Sequence, residues 1–121
     1  MENHVVLIAD DAAFMRKMVT IALNEAGITN ILEAKNGDEA VALYQEKKPD
    51  LVLLDITMAG KSGLDALKEI MAYDGSAKIV MCSAIGQTQV VMEAIQCGAL
   101  DYVVKPFQKD KLIETVQGIL E

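Results

Sequence analysis

The sequence predicts an α/β fold, a doubly wound parallel sheet of five strands sandwiched between helices, on two observations. Short apolar, β-rich runs recur along the chain, and a segment with helical spacing follows each of them. The runs are continuous rather than alternating, as in Val5-Val6-Leu7-Ile8 and Leu51-Val52-Leu53-Leu54, which is how strands buried on both faces read. Such a sheet needs helices on both sides.

The strands are expected at residues 4–9, 31–35, 51–55, 78–82 and 101–104. In the first helix Met15, Met18, Val19, Ala22 and Ala26 are spaced to share a face, and Gly27 supplies a stop. The second follows the Asn36-Gly37 turn, places Ala40, Leu43 and Tyr44 on one side, and ends before Pro49. Leu64, Leu67 and Met71 make the apolar face of the third helix, and Val91, Ala94, Ile95 and Gly98 that of the fourth. Leu112, Val116, Ile119 and Leu120 do so for the fifth, which runs to the end of the chain.

With 121 residues, 52% of them hydrophobic, the chain can bury a core without disulfide or metal staples, so residues 1–121 are read as one domain with no output domain attached. No apolar run approaches the roughly 20 residues of a membrane-spanning helix. The start, Met1-Glu2-Asn3-His4, lacks the basic and apolar segments of a signal peptide, so a cytoplasmic location is expected. A net charge of −7 repels a phosphate backbone and argues against nucleic acid as a ligand. Cys82 and Cys97 are too far apart for a CxxC motif and sit among apolar neighbours, as reduced core thiols do.

In an open parallel sheet, ligands bind beyond the carboxyl ends of the strands. Those ends are chemically unusual here: Asp10-Asp11 after strand one, Asp55 after strand three, Ser83-Ala84 after strand four, and Lys105-Pro106 after strand five. Two carboxylates ~4 Å apart repel by ~4 kcal/mol at an effective dielectric of about 20, so crowded acids call for a cation among them. An oxygen-only set suits Mg²⁺ better than zinc. With Lys105 adding a positive charge, the group could neutralise a phosphoryl while an Asp oxygen attacks phosphorus in line. Singly, each residue has a plainer reading: Asp10, Asp11 or Ser83 as a helix cap, Lys105 as a solvated strand-end lysine, Pro106 as a helix starter. Their conjunction after the right strands favours chemistry. Gly60-Lys61-Ser62 is not a phosphate-binding P-loop, because Asp55 stands where the pattern needs its first glycine. His4, at the mouth of the first strand, is read as an ordinary residue and not a phosphohistidine.

Residues 9–16 (Ala-Asp-Asp-Ala-Ala-Phe-Met-Arg), 54–58 (Leu-Asp-Ile-Thr-Met), 81–84 (Met-Cys-Ser-Ala) and 101–107 (Asp-Tyr-Val-Val-Lys-Pro-Phe) together give the chain its likeness. Over its whole length it resembles the receiver domains of two-component response regulators, most of all the CheY-like receivers of chemotaxis. The resemblance implies a flavodoxin-like (βα)5 fold with strand order 2-1-3-4-5, the order CheY itself exemplifies. It implies Asp55 as phosphoacceptor, with Asp11, Asp55 and the Thr57 carbonyl as direct Mg²⁺ ligands and Asp10 orienting a metal-bound water. Lys105, Ser83 and the Thr57 and Ala84 amides would contact the phosphoryl oxygens. Ser83 and Tyr102 would form the switch, Tyr102 swinging inward as the Ser83 loop closes.

The same likeness implies partners: a CheA-like histidine kinase, a FliM-like flagellar motor switch protein bound at the face of helix four, strand five and helix five, and a phosphatase. The chain would be a monomeric switch rather than an enzyme, catalysing only its own phosphorylation and dephosphorylation. Other readings are a receiver of a different phosphorelay, a receiver that is never phosphorylated, and an aspartyl-phosphate phosphohydrolase. The last uses a DxD pair, whose second Asp is here Thr57. Thr57 and Ile85 hold positions that tune access of hydrolytic water in receivers. One departure stands out: Ala59 replaces a usual proline, and Ala59→Pro is expected to stabilise the fold by ~0.4–1 kcal/mol if the local backbone accepts it.

Overall fold

The computed structural model describes residues 4–121; Met1, Glu2 and Asn3, part of the start read above for a signal peptide, lie outside the described residues. Five strands and five helices alternate: β1 Val5–Ala9, α1 Ala13–Glu25, β2 Asn30–Ala34, α2 Gly37–Lys47, β3 Leu51–Asp55, α3 Gly63–Tyr73, β4 Ile79–Ala84, α4 Thr88–Gln96, β5 Asp101–Lys105 and α5 Lys109–Leu120. The strands form one parallel sheet in the order β2-β1-β3-β4-β5, as expected. Strand bounds shift by a residue or two from the expected ones, chiefly because pairing with β5 extends β4 to Ala84.

The sheet separates two apolar layers. Val6, Ile8, Leu51, Leu53, Val80 and Val103 pack with α1 and α5, while Leu7, Leu54, Ile79 and Met81 pack with α2, α3 and α4. Successive strand residues point to opposite faces, so a continuous apolar run supplies both layers. Burying one Leu or Ile fully is worth about 1.5–3 kcal/mol, and Leu7, Leu51, Leu54, Ile79 and Met81 are all 0% exposed.

Local signals fix the helix ends. Asn36 caps α2 by accepting from the Glu39 N–H at 2.8 Å, while Glu39 Oε1 accepts from the Lys35 N–H at 2.9 Å, a reciprocal arrangement close to a capping box. Gly27, at φ +90°, closes α1 in the left-handed conformation that favours glycine.

Two helix faces differ from expectation. In α1 the buried residues are Val19, Ala22 and Leu23, whereas Met18 is 45% exposed. A helix turns about 100° per residue, so Met18 and Leu23 lie on opposite borders of the stripe, and the sheet covers the Leu23 side. In α4 Val91 and Ala94 are buried but Ile95 is 41% exposed, and Gly98 lies past the helix end. Cys82 is buried and Cys97 half-buried, both as free thiols. No described helix is long and apolar enough to cross a membrane.

Candidate functional site

The carboxyl ends of β1, β3, β4 and β5 are neighbours in this strand order, so the expected residues meet at one rim. A carboxylate oxygen from each of Asp10, Asp11 and Asp55 lies within 4.8 Å of the others. Asp10 and Asp55 are each 6% exposed, whereas Asp11 faces solvent. Lys105 Nζ stands 2.8 Å from Asp10 Oδ2 and 2.9 Å from Asp55 Oδ2.

Backbone contacts hold these side chains in place. Asp10 Oδ1 accepts from the Ala12 N–H at 2.9 Å, and Arg16 donates to the Asp10 carbonyl at 2.7 Å while pairing with Glu33 at 2.9 Å. The Asp55 N-terminal neighbour Leu54 lies in the sheet between Ala9 and Met81. Beyond Asp55, the Gly63 N–H donates to the Ile56 carbonyl at 2.8 Å. A Cβ at Gly63 would lie 2.0 Å from the Asp55 carbonyl oxygen, so only glycine lets α3 start this close to the strand.

Burial raises the Asp55 carboxyl above its ordinary value, and the hydrogen bond and charge of Lys105 only partly oppose this. For Lys105, burial disfavours the ammonium, but its bonds to Asp10 and Asp55 outweigh that and raise its pKa. Burial also pushes the Cys82 thiol beside them up to about 12, so it is an inert core group rather than a nucleophile.

Three oxygen donors with no histidine or thiolate among them form a hard-cation set. The donors fit Mg²⁺ chemically, and the exposed Asp11 leaves the cluster open to solvent. Ser83, 2% exposed, and Ala84 complete the rim from β4. The Thr57 N–H leans toward Asp55 Oδ1 at 3.4 Å. Tyr102 is 45% exposed and borders a groove of about 290 Å³ that is also lined by Ser83, Thr88 and Val91. Ile85 is 83% exposed on the same side. His4 precedes β1, at the end of the strand opposite the acids.

Two residues make contacts that are not legible in the sequence. The Ala59 N–H donates to Asp11 Oδ2 at 3.1 Å, so the residue in the usual proline position supplies a donor that proline lacks. The bond argues against the expectation that Ala59→Pro stabilises the fold, because proline removes an N–H that is in use. Gln87 reaches across the rim: its Oε1 accepts from the Ala84 N–H at 2.7 Å, and its Nε2 donates to Thr57 Oγ1 at 2.9 Å. A glutamine ahead of a helix carries no sequence signal for either bond.

Comparison with known proteins agrees with this fold. Residues 6–117 match the family described as "Response regulator receiver domain". The chain is 50% identical over 117 residues to the chemotaxis protein CheY of Bacillus subtilis, covering 97% of this chain and 98% of that protein. It is 52% identical over 114 residues to the chemotaxis protein CheY of Thermotoga maritima, covering 94% and 95%. Among solved structures, the CheX-CheY-BeF3-Mg²⁺ complex from Borrelia burgdorferi contains a chain similar to this one at a TM-score of 0.92 and 35% identity, covering 98% of this chain and 90% of that one.

Proposed function

The chain belongs to the response-regulator receiver family, and we propose that it works as a stand-alone phosphorylation switch of chemotaxis, with Asp55 as the phosphoacceptor. The observation that carries this reading is the Lys105 ammonium bridging Asp10 and Asp55 beside a third carboxylate, Asp11. That arrangement suits a site where a transferring phosphoryl group brings its negatively charged oxygens up to one carboxylate oxygen, the nucleophile.

In the proposed reaction an Asp55 oxygen forms a bond to phosphorus as the P–N bond of a phosphohistidine donor breaks. The leaving imidazole keeps the electron pair and takes a proton from solvent. Asp11, Asp55 and the Thr57 carbonyl would hold Mg²⁺ directly, with Asp10 orienting one of its waters. When bound, Mg²⁺ neutralises charge on the transferring oxygens. Lys105 pairs with the phosphoryl from the other side, and Ser83 and the Thr57 and Ala84 amides donate to its remaining oxygens.

A phosphoryl carries a charge near −2 and several strong acceptors, enough to bias a two-state loop. Closure of the Ser83 loop would open room for Tyr102 in the groove beside it. The responsive face is then α4, β5 and α5, where Ile85, Tyr102, Val104, Pro106, Phe107 and Lys111 line a hollow of about 520 Å³. A CheA-like histidine kinase upstream, a FliM-like motor switch protein at that face and a phosphatase are the partners this reading takes, with the monomer in the cytoplasm. The names of the relatives, matched over nearly their full length, support the chemotaxis role. The reading makes the chain a switch rather than an enzyme, since Thr57 stands where a phosphohydrolase of this chemistry needs a second acid.

The test is incubation with Mg²⁺ and acetyl phosphate followed by mass spectrometry. One added phosphoryl group, absent in Asp55→Asn, is the expected result. Steady release of phosphate from many esters would instead mark a phosphohydrolase, and no modification at all would end the reading.

A further inference from the structure

We propose that Gln87 is a positioning residue that sets the threshold for phosphorylation, because its carboxamide occupies a donor that a phosphoryl on Asp55 needs. This inference rests on the phosphoacceptor reading above and deepens it.

A phosphoryl on Asp55 brings strong acceptor oxygens to a rim with few donors. Lys105 is one, and the Thr57 N–H, 3.4 Å from Asp55 Oδ1, is another. From β4, whose Cys82 pairs with Asp55, the nearest backbone donor past Ser83 is the Ala84 N–H. That donor is already taken, by Gln87 Oε1 at 2.7 Å. The bond is local, three residues along the chain, and alone would be a turn feature. The other end of the same carboxamide is not local. Its Nε2 donates to Thr57 Oγ1 at 2.9 Å across 30 residues, tying the loop after β4 to the loop after Asp55.

Gln87 therefore clasps both loops that border the acceptor carboxylate. For the Ala84 N–H to turn to a phosphoryl oxygen, the Oε1 bond must break, and the carboxamide then leaves Thr57 or finds water. The resting loop is stabilised against closure by what that clasp is worth. Gln87 acts through Ala84 and Thr57, not on the phosphoryl itself.

The experiment compares wild type with Gln87→Ala and Gln87→Met, the second keeping the side-chain length without either hydrogen bond. The probe is beryllium trifluoride with Mg²⁺, titrated against the Ala84 amide signal by NMR, alongside the rate of labelling by acetyl phosphate. Both variants are expected to bind the probe about two- to thirteenfold more tightly, the range given by the net worth of one hydrogen bond. The Ala84 amide should also exchange faster without the probe, a change that a purely structural role of Gln87 elsewhere would not produce. Equal or weaker binding in both variants, with wild type binding normally, would overturn the clasp and leave the phosphoacceptor reading intact. Failure of wild type itself to bind the probe would overturn both.

Discussion

The Lys105 ammonium lies 2.9 Å from Asp55 Oδ2, and the same nitrogen lies 2.8 Å from Asp10 Oδ2, so one cation on β5 offsets two buried acids, one just after β1 and one at the end of β3. Removing one partner of a fully buried ion pair costs 3–5 kcal/mol. The Lys105 side chain keeps 20% exposure, which moderates the loss. We predict that Lys105→Met lowers stability without metal by roughly 2 kcal/mol, and that Mg²⁺ recovers more of it than it adds to wild type. Urea unfolding with and without Mg²⁺ measures both; a Mg²⁺-free variant as stable as wild type would show that the ammonium does not hold the acids together.

The raised Asp55 carboxyl makes a pH prediction. Because burial lifts its pKa above the ordinary 3.8, the folded state binds the proton more tightly than the unfolded chain. Its contribution to stability is therefore greatest below the unfolded value and is lost as pH rises through the folded one. Lys105, also raised, contributes stability that persists throughout this range and is lost only above the ordinary lysine value of 10.5. Asp55→Asn should thus gain on wild type, without metal, as pH goes from about 4 to 7. Parallel urea midpoints for the two proteins across that range would contradict the assignment.

How much of this was legible in the sequence depends on the range of each interaction. Asp10, Asp11, Asp55, Ser83 and Lys105 were found because each follows an apolar strand, and a parallel sheet brings such ends to one edge. Tertiary bonds made by loop side chains and loop backbone are not legible in this way. Nothing in the residue type of Ala59 says that its N–H will meet Asp11, and nothing in Gln87 says that it will span to Thr57. Apolar spacing sets helix phase only approximately, enough for Val19 and Ala22 but favouring Met18 over Leu23. Leu23 was as apolar as Met18, and only the packing of α1 against the sheet distinguishes them.

The Ala59 amide gives a prediction opposite in sign to the one drawn from the sequence. Proline at this position removes the donor to Asp11 Oδ2 and leaves that carboxylate less constrained. Ala59→Pro should lower the urea midpoint by an amount equivalent to about 1 kcal/mol. A higher midpoint would mean that the loop accepts proline in another conformation and that the Ala59 bond contributes little.

Asp11 separates metal binding from folding. It is exposed, and its one described hydrogen bond is to Ala59, whereas Asp10 and Asp55 are buried on Lys105. Saturating Mg²⁺ at about 100 times its Kd should stabilise wild type by about 2.7 kcal/mol. Asp11→Asn should keep most of the metal-free stability and lose most of that increment. Thermal unfolding at several Mg²⁺ concentrations would read this directly, and an undiminished increment would place the ion elsewhere.

Gly63 tests whether the position of Asp55 depends on the start of α3. An added methyl would meet the Asp55 carbonyl oxygen at 2.0 Å and the Ile56 Cα at 2.8 Å. Both are backbone atoms, so no side-chain rotation can relieve the contact. Overpacking of this kind costs about 1–3 kcal/mol, and relief requires either β3 or the start of α3 to shift. If β3 shifts, Asp55 moves away from Lys105 and Asp11, and Gly63→Ala should slow labelling by acetyl phosphate well beyond its effect on stability. A variant that loses stability but labels at the wild-type rate would show that α3 yields instead and that the acidic rim is held by the sheet alone.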